Sequence, residues 1–325
     1  MAQAGRTARL GAAICVLVFA LLATTGCVTV DGKHAKVAPL GKAEAARVLA
    51  DFDARNNEAF GKRDANVNAA IETGSFGAID QAALHIADFT DPRRTRQYQP
   101  FTHAQPEFWI PATVGWPKWF AARNTPSYPK AHNQLLVFTK AGPDAPWMAA
   151  WGATLASETD TFPEPMRDGK GHVEALPLDA GGYSVGPKDL AGTFTKYLAD
   201  GKTSADLITA NTIVTKLRQT REEPVQDGFI RQVVDSPAQQ YPPLAIRLKD
   251  GSALVLFAVT HSTKVTVPGT LGDLDGNVQA FLAKKPKQTY TKHELASYAA
   301  VVPPTGKGQV QVIGVMSGVI GADGD

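Results

Sequence analysis

The order of the periodic segments constrains the fold of this chain more than any other feature of its sequence. After residue 41, apolar residues recur at the spacing of amphipathic helices, and from residue 108 the pattern changes to the short apolar or alternating runs typical of strands. The same order, helices first and strands second, occurs again after residue 187. Helices that precede strands, rather than alternate with them, favour an α+β fold with an antiparallel sheet.

We call residues 42–180 the first half of the chain. Its helical pattern runs from residue 42 to 60, breaks at 61–64, resumes at 67–74 and is followed by a third helix predicted at 79–86. The turn sequence at 141–146, Ala-Gly-Pro-Asp-Ala-Pro, predicts a hairpin between the two strands that flank it. Strands are predicted at 108–110, 116–122, 135–139, 147–155 and 172–178.

We call residues 187–325 the second half, and a Gly-, Pro- and acid-rich stretch places the boundary between the halves near 180–187. Pro187 is predicted to begin a helix that reaches residue 199, and Thr203 or Ser204 to cap a second helix. Lys249-Asp250-Gly251 predicts a hairpin turn. Strands are predicted at 228–234, 244–248, 253–260, 265–267, 295–302 and 310–319. We therefore expect two tandem α+β modules, each with N-terminal helices packed on a curved antiparallel sheet.

Two family resemblances agree with this expectation. The helix at 43–60, Arg63-Asp64 after it and the strand meander of the first half resemble the nuclear-transport-factor-two-like, or cystatin-like, fold. The whole mature chain resembles uncharacterised lipoproteins of high-GC Gram-positive bacteria with two such modules, on the stretches 71–75, 116–120 and 254–260. The second resemblance implies a fold and a location, but no activity.

The N-terminus is typical of an export signal. Arg6 and Arg9 precede an unbroken apolar run at residues 10–23. These 14 residues would span only about 21 Å as a helix, short of the roughly 30 Å hydrocarbon core of a bilayer, so a permanent membrane span is the weaker interpretation. Residues 1–26 are predicted to be a signal peptide.

The sequence Thr24-Thr25-Gly26-Cys27 resembles the lipobox of bacterial lipoproteins, although Thr24 stands where that pattern prefers Leu. The resemblance implies cleavage before Cys27, a thioether-linked diacylglycerol on its sulfur and acylation of the new amine. Cys15 lies in the discarded run, so Cys27 is the single cysteine of the mature chain and no disulfide is expected. The alternative is an ordinary small residue behind a secretory cleavage site.

Residues 27–41 form a lipidated tether, and the 13 residues of its polar stretch at 28–40 reach at most about 45 Å from the anchor. The folded part is therefore expected to work close to a membrane, on its extracytoplasmic side. Without Arg6 and Arg9 the chain has 31 basic and 31 acidic residues. A neutral chain lacks the positive field that collects phosphate backbones, so nucleic acid is not an expected partner.

The pattern Gly-Tyr-Ser-Val-Gly at 182–186 matches the nucleophile elbow of α/β-hydrolases and makes Ser184 a candidate nucleophile. The elbow needs a buried strand before the serine, and residues 178–182 do not have that pattern. A turn between the two halves is the favoured interpretation, so no catalytic residue is assigned.

Metal and cofactor chemistry have little support in the sequence. No two of the seven histidines lie within four residues of each other, and no phosphate-binding or dinucleotide motif occurs. The run Asp273-Leu274-Asp275-Gly276-Asn277 is similar to a calcium loop, but Val278 and Lys284 stand where Gly and Glu are required. We expect no metal site and no cofactor. The seven histidines are His34, His85, His103, His132, His172, His261 and His293.

The five tryptophans all fall between residues 109 and 151, in the first half. Tryptophan often lines pockets and interfaces because it is large and amphipathic. The hypothesis is an aromatic pocket for a sugar, lipid or peptide, against the alternative of ordinary core packing. The residues concerned are Trp109, Trp116, Trp119, Trp147 and Trp151.

Three functional hypotheses remain from the sequence. The favoured one is a membrane-anchored, non-catalytic lipoprotein that binds an envelope protein or a small ligand. The second is an envelope enzyme whose site lies in a module pocket, and the third is a serine hydrolase on Ser184. A basic run, Lys284, Lys285 and Lys287, is expected to be a solvated loop, with contact to anionic lipid or wall polymer as its alternative.

Overall fold

Three helices begin the part of the chain that the computed structural model describes, which is residues 35–156 and 162–325. They are α1 (Lys42–Lys62), α2 (Ala65–Ala69) and α3 (Gly74–Thr90). The predicted break at 61–64 is confirmed. Arg63 ends α1 in the left-handed conformation, with a φ of 53°, and the Asp64 side chain caps α2 by accepting from the backbone of Asn66 and Val67.

Four antiparallel strands follow in the first half, and the hairpin predicted around 141–146 is confirmed. The last two of them flank that turn and pair along their length. The strands are β1 (His103–Trp109), β2 (Lys118–Pro126), β3 (Gln134–Lys140) and β4 (Met148–Leu155).

The second half repeats the order of helices and then strands. Its first helices are α4 (Leu190–Asp200) and α5 (Thr212–Glu222), and the short α6 (Gly276–Gln279) lies between later strands. Its strands are β5 (Ile230–Pro237), β6 (Leu244–Arg247), β7 (Ala253–Thr266), β8 (Thr289–Val302) and β9 (Gln311–Gly324).

Three local predictions are wrong. Asn211, and not Thr203 or Ser204, caps α5, because its side chain accepts from the Val214 N–H at 3.2 Å. The segments predicted at 253–260 and 265–267 form the single strand β7. Residues 172–178 make only isolated bridges, because Val173 pairs with Pro111 and Arg167 whereas Ala175 pairs with Ile246, so no single partner continues along the segment.

All nine strands of the described chain join one antiparallel sheet in the order β1-β2-β3-β4-β9-β8-β7-β5, with β6 also on β7. The two halves meet where β4 pairs with β9, at Thr154 opposite Val315 and Leu155 opposite Gly314. Helices together with a large antiparallel sheet confirm the α+β prediction. The division into two modules with a boundary near 180–187 stays a prediction.

The start of α3 is locked onto β4 by backbone contacts. The Thr73 N–H donates to the Ala149 carbonyl at 2.8 Å, and the Ala149 N–H donates to the Ile71 carbonyl at 2.9 Å. Gly74 has a φ of +61°, and a Cβ at this position would lie 2.4 Å from the Ala150 oxygen, so only glycine fits. These contacts hold Glu72 in the interior, where it is 4% exposed.

Candidate ligand-binding site

A cavity of about 530 Å³ lies in the second half between α5 and the sheet. Ile213 and Leu217 of α5 form one apolar wall, and Ala296 and Val315 of the sheet form another. Threonine and serine hydroxyls interrupt these walls, so the cavity offers both apolar surface and hydrogen-bonding groups. Its polar hydroxyl-bearing members are Thr154, Thr212, Thr220, Thr263 and Ser317.

Four polar side chains form a buried network on the floor of this cavity. Arg221, in the last turn of α5, binds Asp235 through two hydrogen bonds, from Nε at 2.8 Å and from Nη2 at 2.5 Å. His261 contacts Asp235 through Nδ1 at 2.6 Å and the Tyr298 hydroxyl through Nε2 at 2.8 Å. Asp235 and His261 face each other across β5 and β7, so the strand register places this pair.

Burial acts to raise the pKa of both acidic groups of the network. It is the largest influence on Asp235 and acts to raise its pKa. The hydrogen bonds from His261 and Arg221, with the Arg221 charge, outweigh it, so the pKa of Asp235 lies below its ordinary value. Burial also raises the pKa of Tyr298, which therefore keeps its proton at neutral pH. The network holds an ionised carboxylate beside its guanidinium counter-ion.

The polar atoms of the network are engaged by one another. Both nitrogens of His261 are bound to protein groups, so a ligand would have to displace one of these contacts to reach the ring. Its geometry is that of a positioning network that shapes the cavity floor.

The mouth of the cavity carries an excess of positive charge. Lys292 pairs with Glu294 at 2.7 Å, and Arg221 is matched by Asp235. Lys216, exposed on α5, has no carboxylate partner among the described residues. One cation therefore stands at the rim of a cavity that has both apolar and hydroxyl-bearing walls.

The first half has its own His–Asp pair. His103 Nδ1 contacts the Asp53 carboxylate, and the other Asp53 oxygen accepts from the His103 backbone N–H at 2.9 Å. His103 Nε2 contacts Gln134 Oε1 at 3.2 Å, so both of its ring nitrogens are also engaged. This pair borders a second cavity, of about 280 Å³.

The structure divides the five tryptophans between three environments. Trp109, Trp119 and Trp151 are buried in one core cluster with apolar residues of β6 and β7 from the second half. Trp147 lies against Phe120 at 5.0 Å and lines a shallow cavity beside α1, while Trp116 is 45% exposed. The tryptophans are therefore not brought together around one pocket.

Ser184 does not stand on a nucleophile elbow. No strand precedes it directly, α4 begins only at residue 190, and its N–H donates to the Pro303 carbonyl at 2.9 Å. The buried Ser184 Oγ has no hydrogen-bond partner, so no histidine activates it within the described chain. The geometry is that of a turn.

The other polar candidates are surface features. Within the described ranges, no three His, Cys, Asp or Glu side chains converge as a metal site would require. Asp275 caps α6 by accepting from the Asn277 N–H at 2.8 Å. Lys284, Lys285 and Lys287 are exposed. Cys27 lies outside the described residues.

The sequence analysis missed the residues that form the cavity networks. Asp235, His261 and Arg221 come from three elements, and His261 is 26 residues from Asp235 and 40 from Arg221. The one usable signal was His261, which follows the apolar run at 253–259 within β7.

Comparison with known proteins places this α+β chain in a class of lipoproteins. The chain belongs to the family described as "Domain of unknown function (DUF8094)", whose model matches residues 37–324. It is 33% identical over 309 residues to an uncharacterized lipoprotein of Streptomyces coelicolor, a match that covers 94% of this chain and 92% of the relative. No solved structure matches it.

Two further relatives carry the same description. An uncharacterized lipoprotein of Streptomyces avermitilis is 30% identical over 311 residues, with 94% of this chain and 92% of the relative covered. A second one from Streptomyces coelicolor is 25% identical, with 87% and 86% covered. These relatives support the expectation of a membrane-anchored envelope protein. Across the described residues, no helix is both long and apolar enough to pass through a bilayer.

Proposed function

We propose that this protein is a lipid-anchored, extracytoplasmic binding protein. Its cavity in the second half would hold a small ligand that has an anionic group and an apolar body. Support for the anchor comes from the apolar run at residues 10–23, from Cys27 after it and from the lipoprotein relatives. Support for the ligand class comes from the shape and charge of the cavity.

The observation that carries the proposal is the unpaired Lys216 beside the apolar wall of a cavity of mixed lining. Ile213 and Leu217 lie on the same face of α5. Ile213 is three residues before Lys216, and Leu217 directly follows Lys216. A carboxylate or phosphate at Lys216 would leave the attached apolar body against these two side chains. The volume of about 530 Å³ lies within the range of small-molecule sites.

Binding is favoured over catalysis because the polar floor is internally satisfied. Every ring nitrogen and carboxylate oxygen of the His261–Asp235 pair is engaged by Arg221, Tyr298 or the pair itself. An enzyme at this site would have to break one of these bonds before it could move a proton.

The ligand proposal is tested with a fluorescent fatty acid, dansyl-undecanoic acid, and its uncharged methyl ester. We expect Lys216→Glu to weaken binding of the acid about tenfold or more, because attraction becomes repulsion, and to leave ester binding almost unchanged. Lys188→Glu, at an exposed lysine outside the cavity, is the matched control. Equal binding of the acid by both variants would contradict the proposal.

The anchor is tested separately by mass spectrometry of protein extracted from its own membranes. We expect residues 1–26 to be absent and diacylglycerol to be attached to Cys27. A Cys27→Ser variant should lose the lipid and leave the membrane fraction. A bare Cys27 thiol on the extracted protein would refute the anchor without affecting the ligand proposal. Proteins and small molecules that copurify would distinguish an envelope partner from a ligand.

A further inference from the structure

The cavity of about 280 Å³ in the first half is lined by an unusual number of aromatic rings. The rings come from α1, α3 and the segments around β1 and β2, and several contact each other edge to face, such as Phe52 with Phe76 at 6.1 Å. The negative faces of such rings attract cations. The six aromatic side chains are Phe52, Phe60, Phe76, Tyr98, Phe101 and Tyr128.

Two polar groups of this cavity lack a partner that they need. Asp80 lines the cavity and meets the Glu72 carboxyl, but no ion pair joins it to a cation in the described chain. Asn56 is 5% exposed, and its Oδ1 atom is buried without a hydrogen-bond donor. A buried acceptor without a donor is costly, so its presence beside a cavity points to a donor that the ligand supplies.

Two other polar side chains of the lining are held by protein contacts. His103 lies between Asp53 and Gln134. The Tyr98 hydroxyl donates to Asn57 Oδ1 at 2.8 Å, which fixes the Tyr98 ring at the cavity wall. Among the lining groups that remain, Asn56 Oδ1 is buried without a donor and Asp80 has no cation beside it, so these two call for a charged donor.

The charges around Asp80 make this region electronegative. Burial raises the pKa of Asp80 to about 7, and burial followed by the Asp80 charge raises that of its neighbour Glu72 to about 9. The pKa of Tyr98 rises to about 12, first through burial and then through the charges of Asp80 and Asp53. A cation beside Asp80 would relieve this repulsion.

We propose that the cavity binds a small alkylammonium ion, with its charge against the Asp80 carboxylate and the aromatic rings and one N–H donated to Asn56 Oδ1. The site is separate from the cavity of the second half and does not depend on the function proposed for it. An anion would meet the carboxylates, and a neutral apolar molecule would leave Asp80 and Asn56 unsatisfied.

The alkylammonium ion and a proton compete for the Asp80 carboxylate. Below neutral pH Asp80 holds a proton and gives the ion no counter-charge, and above it the carboxylate is free to bind. The other titratable groups around the cavity are Glu72, Tyr98, Tyr128, Asp53 and His103. Affinity is therefore expected to rise about tenfold per pH unit below the Asp80 pKa and to level off above it.

The test is calorimetric titration of the lipidated protein, solubilised in detergent, with n-butylammonium. The uncharged analogue n-butanol is titrated in parallel. We expect binding of butylammonium only, tighter at pH 8 than at pH 6. Asp80→Asn should weaken it about tenfold or more, because a charge-assisted contact is lost. Asp88→Asn, at a half-exposed aspartate on the same helix, is the matched control. Tetramethylammonium, which has no N–H, should bind more weakly than butylammonium.

Three results would overturn the proposal: no heat with butylammonium at millimolar concentration, equal affinity in Asp80→Asn, or equal binding of butanol. Folding of the Asp80→Asn variant is checked by its circular dichroism spectrum and its thermal unfolding. Because Asp80 makes no ion pair and its pKa is raised on folding, we expect a native spectrum and an unfolding temperature no lower than that of the parent protein.

Discussion

The two cavities of this molecule share one sheet but differ in charge. Val315 and Ser317 of β9 line the cavity of the second half, and Met316 between them lines that of the first. Alternate residues of a strand point to opposite faces, so the cavities lie on opposite sides of the sheet. Each cavity borders a His–Asp pair. The rim of the cavity in the second half carries Lys216, which has no ion-pair partner among the described residues, whereas the cavity in the first half contains Asp80, which has none either. The fold supplies the cavities, and individual side chains decide what they bind.

The carboxylates of the two halves show the same contrast. Asp235 has a guanidinium beside it, so its pKa is lowered in spite of burial. Glu72 faces a second carboxyl, Asp80, so burial and repulsion act together and raise its pKa. The second half should therefore depend on its ion pair for stability, whereas the first half should tolerate the loss of a carboxylate.

The largest expected effect is on the ion pair. Arg221→Met leaves Asp235, whose side chain is 2% exposed, without its cation and should lower the free energy of unfolding by about 3–5 kcal/mol. Urea unfolding at pH 7 measures this loss of unfolding free energy. Arg247→Met removes a half-exposed pair with Glu174 and should cost less than about 1 kcal/mol. Similar losses in both variants would remove the contrast between a buried and an exposed pair.

Glu72→Gln should have the opposite effect and stabilise the protein. The pKa of Glu72 is raised on folding, so the folded state binds more protons and stability falls as pH rises from about 4.5 towards 9. Removing the charge should leave stability unchanged at pH 4 and raise it at pH 8 by at least about 1.4 kcal/mol, the value of one pKa unit.

Thermal unfolding between pH 4 and pH 9 measures this gain. Glu44→Gln, at an exposed glutamate of α1, should show no such slope. A gain that does not depend on pH would mean that packing, and not charge, causes it.

The smallest expected effect is at Tyr298. Tyr298→Phe keeps the ring but removes the hydroxyl that contacts His261 Nε2, which should cost about 1–2 kcal/mol because a buried polar atom loses its partner. Denaturant unfolding measures the loss. Tyr290→Phe, on the same strand and half-buried, is the control. An unchanged stability would imply that another group reaches His261. The floor of the cavity in the second half would then not depend on the Tyr298 hydroxyl.

Much of the fold could be predicted because it follows from local pattern. Three features depend on residues only a few positions apart. They are helix α1, the break after it at Arg63 and Asp64, and the hairpin between β3 and β4. The cap of α5 was missed because Thr203, Ser204 and Asn211 are all good capping residues, and the sequence does not say which of them a helix will use.

The sequence by itself determined the α+β class, the short apolar run at 10–23 and the position of Cys27 just after that run. Only the tertiary structure decided that β4 pairs with β9 and which polar side chains meet. Asp53 lies beside His103 across 50 residues of chain, and Asp235 beside His261 across 26. Periodicity fixes which face a residue occupies within its own element. Strand register and helix packing, which depend on the whole core, fix which residue it meets.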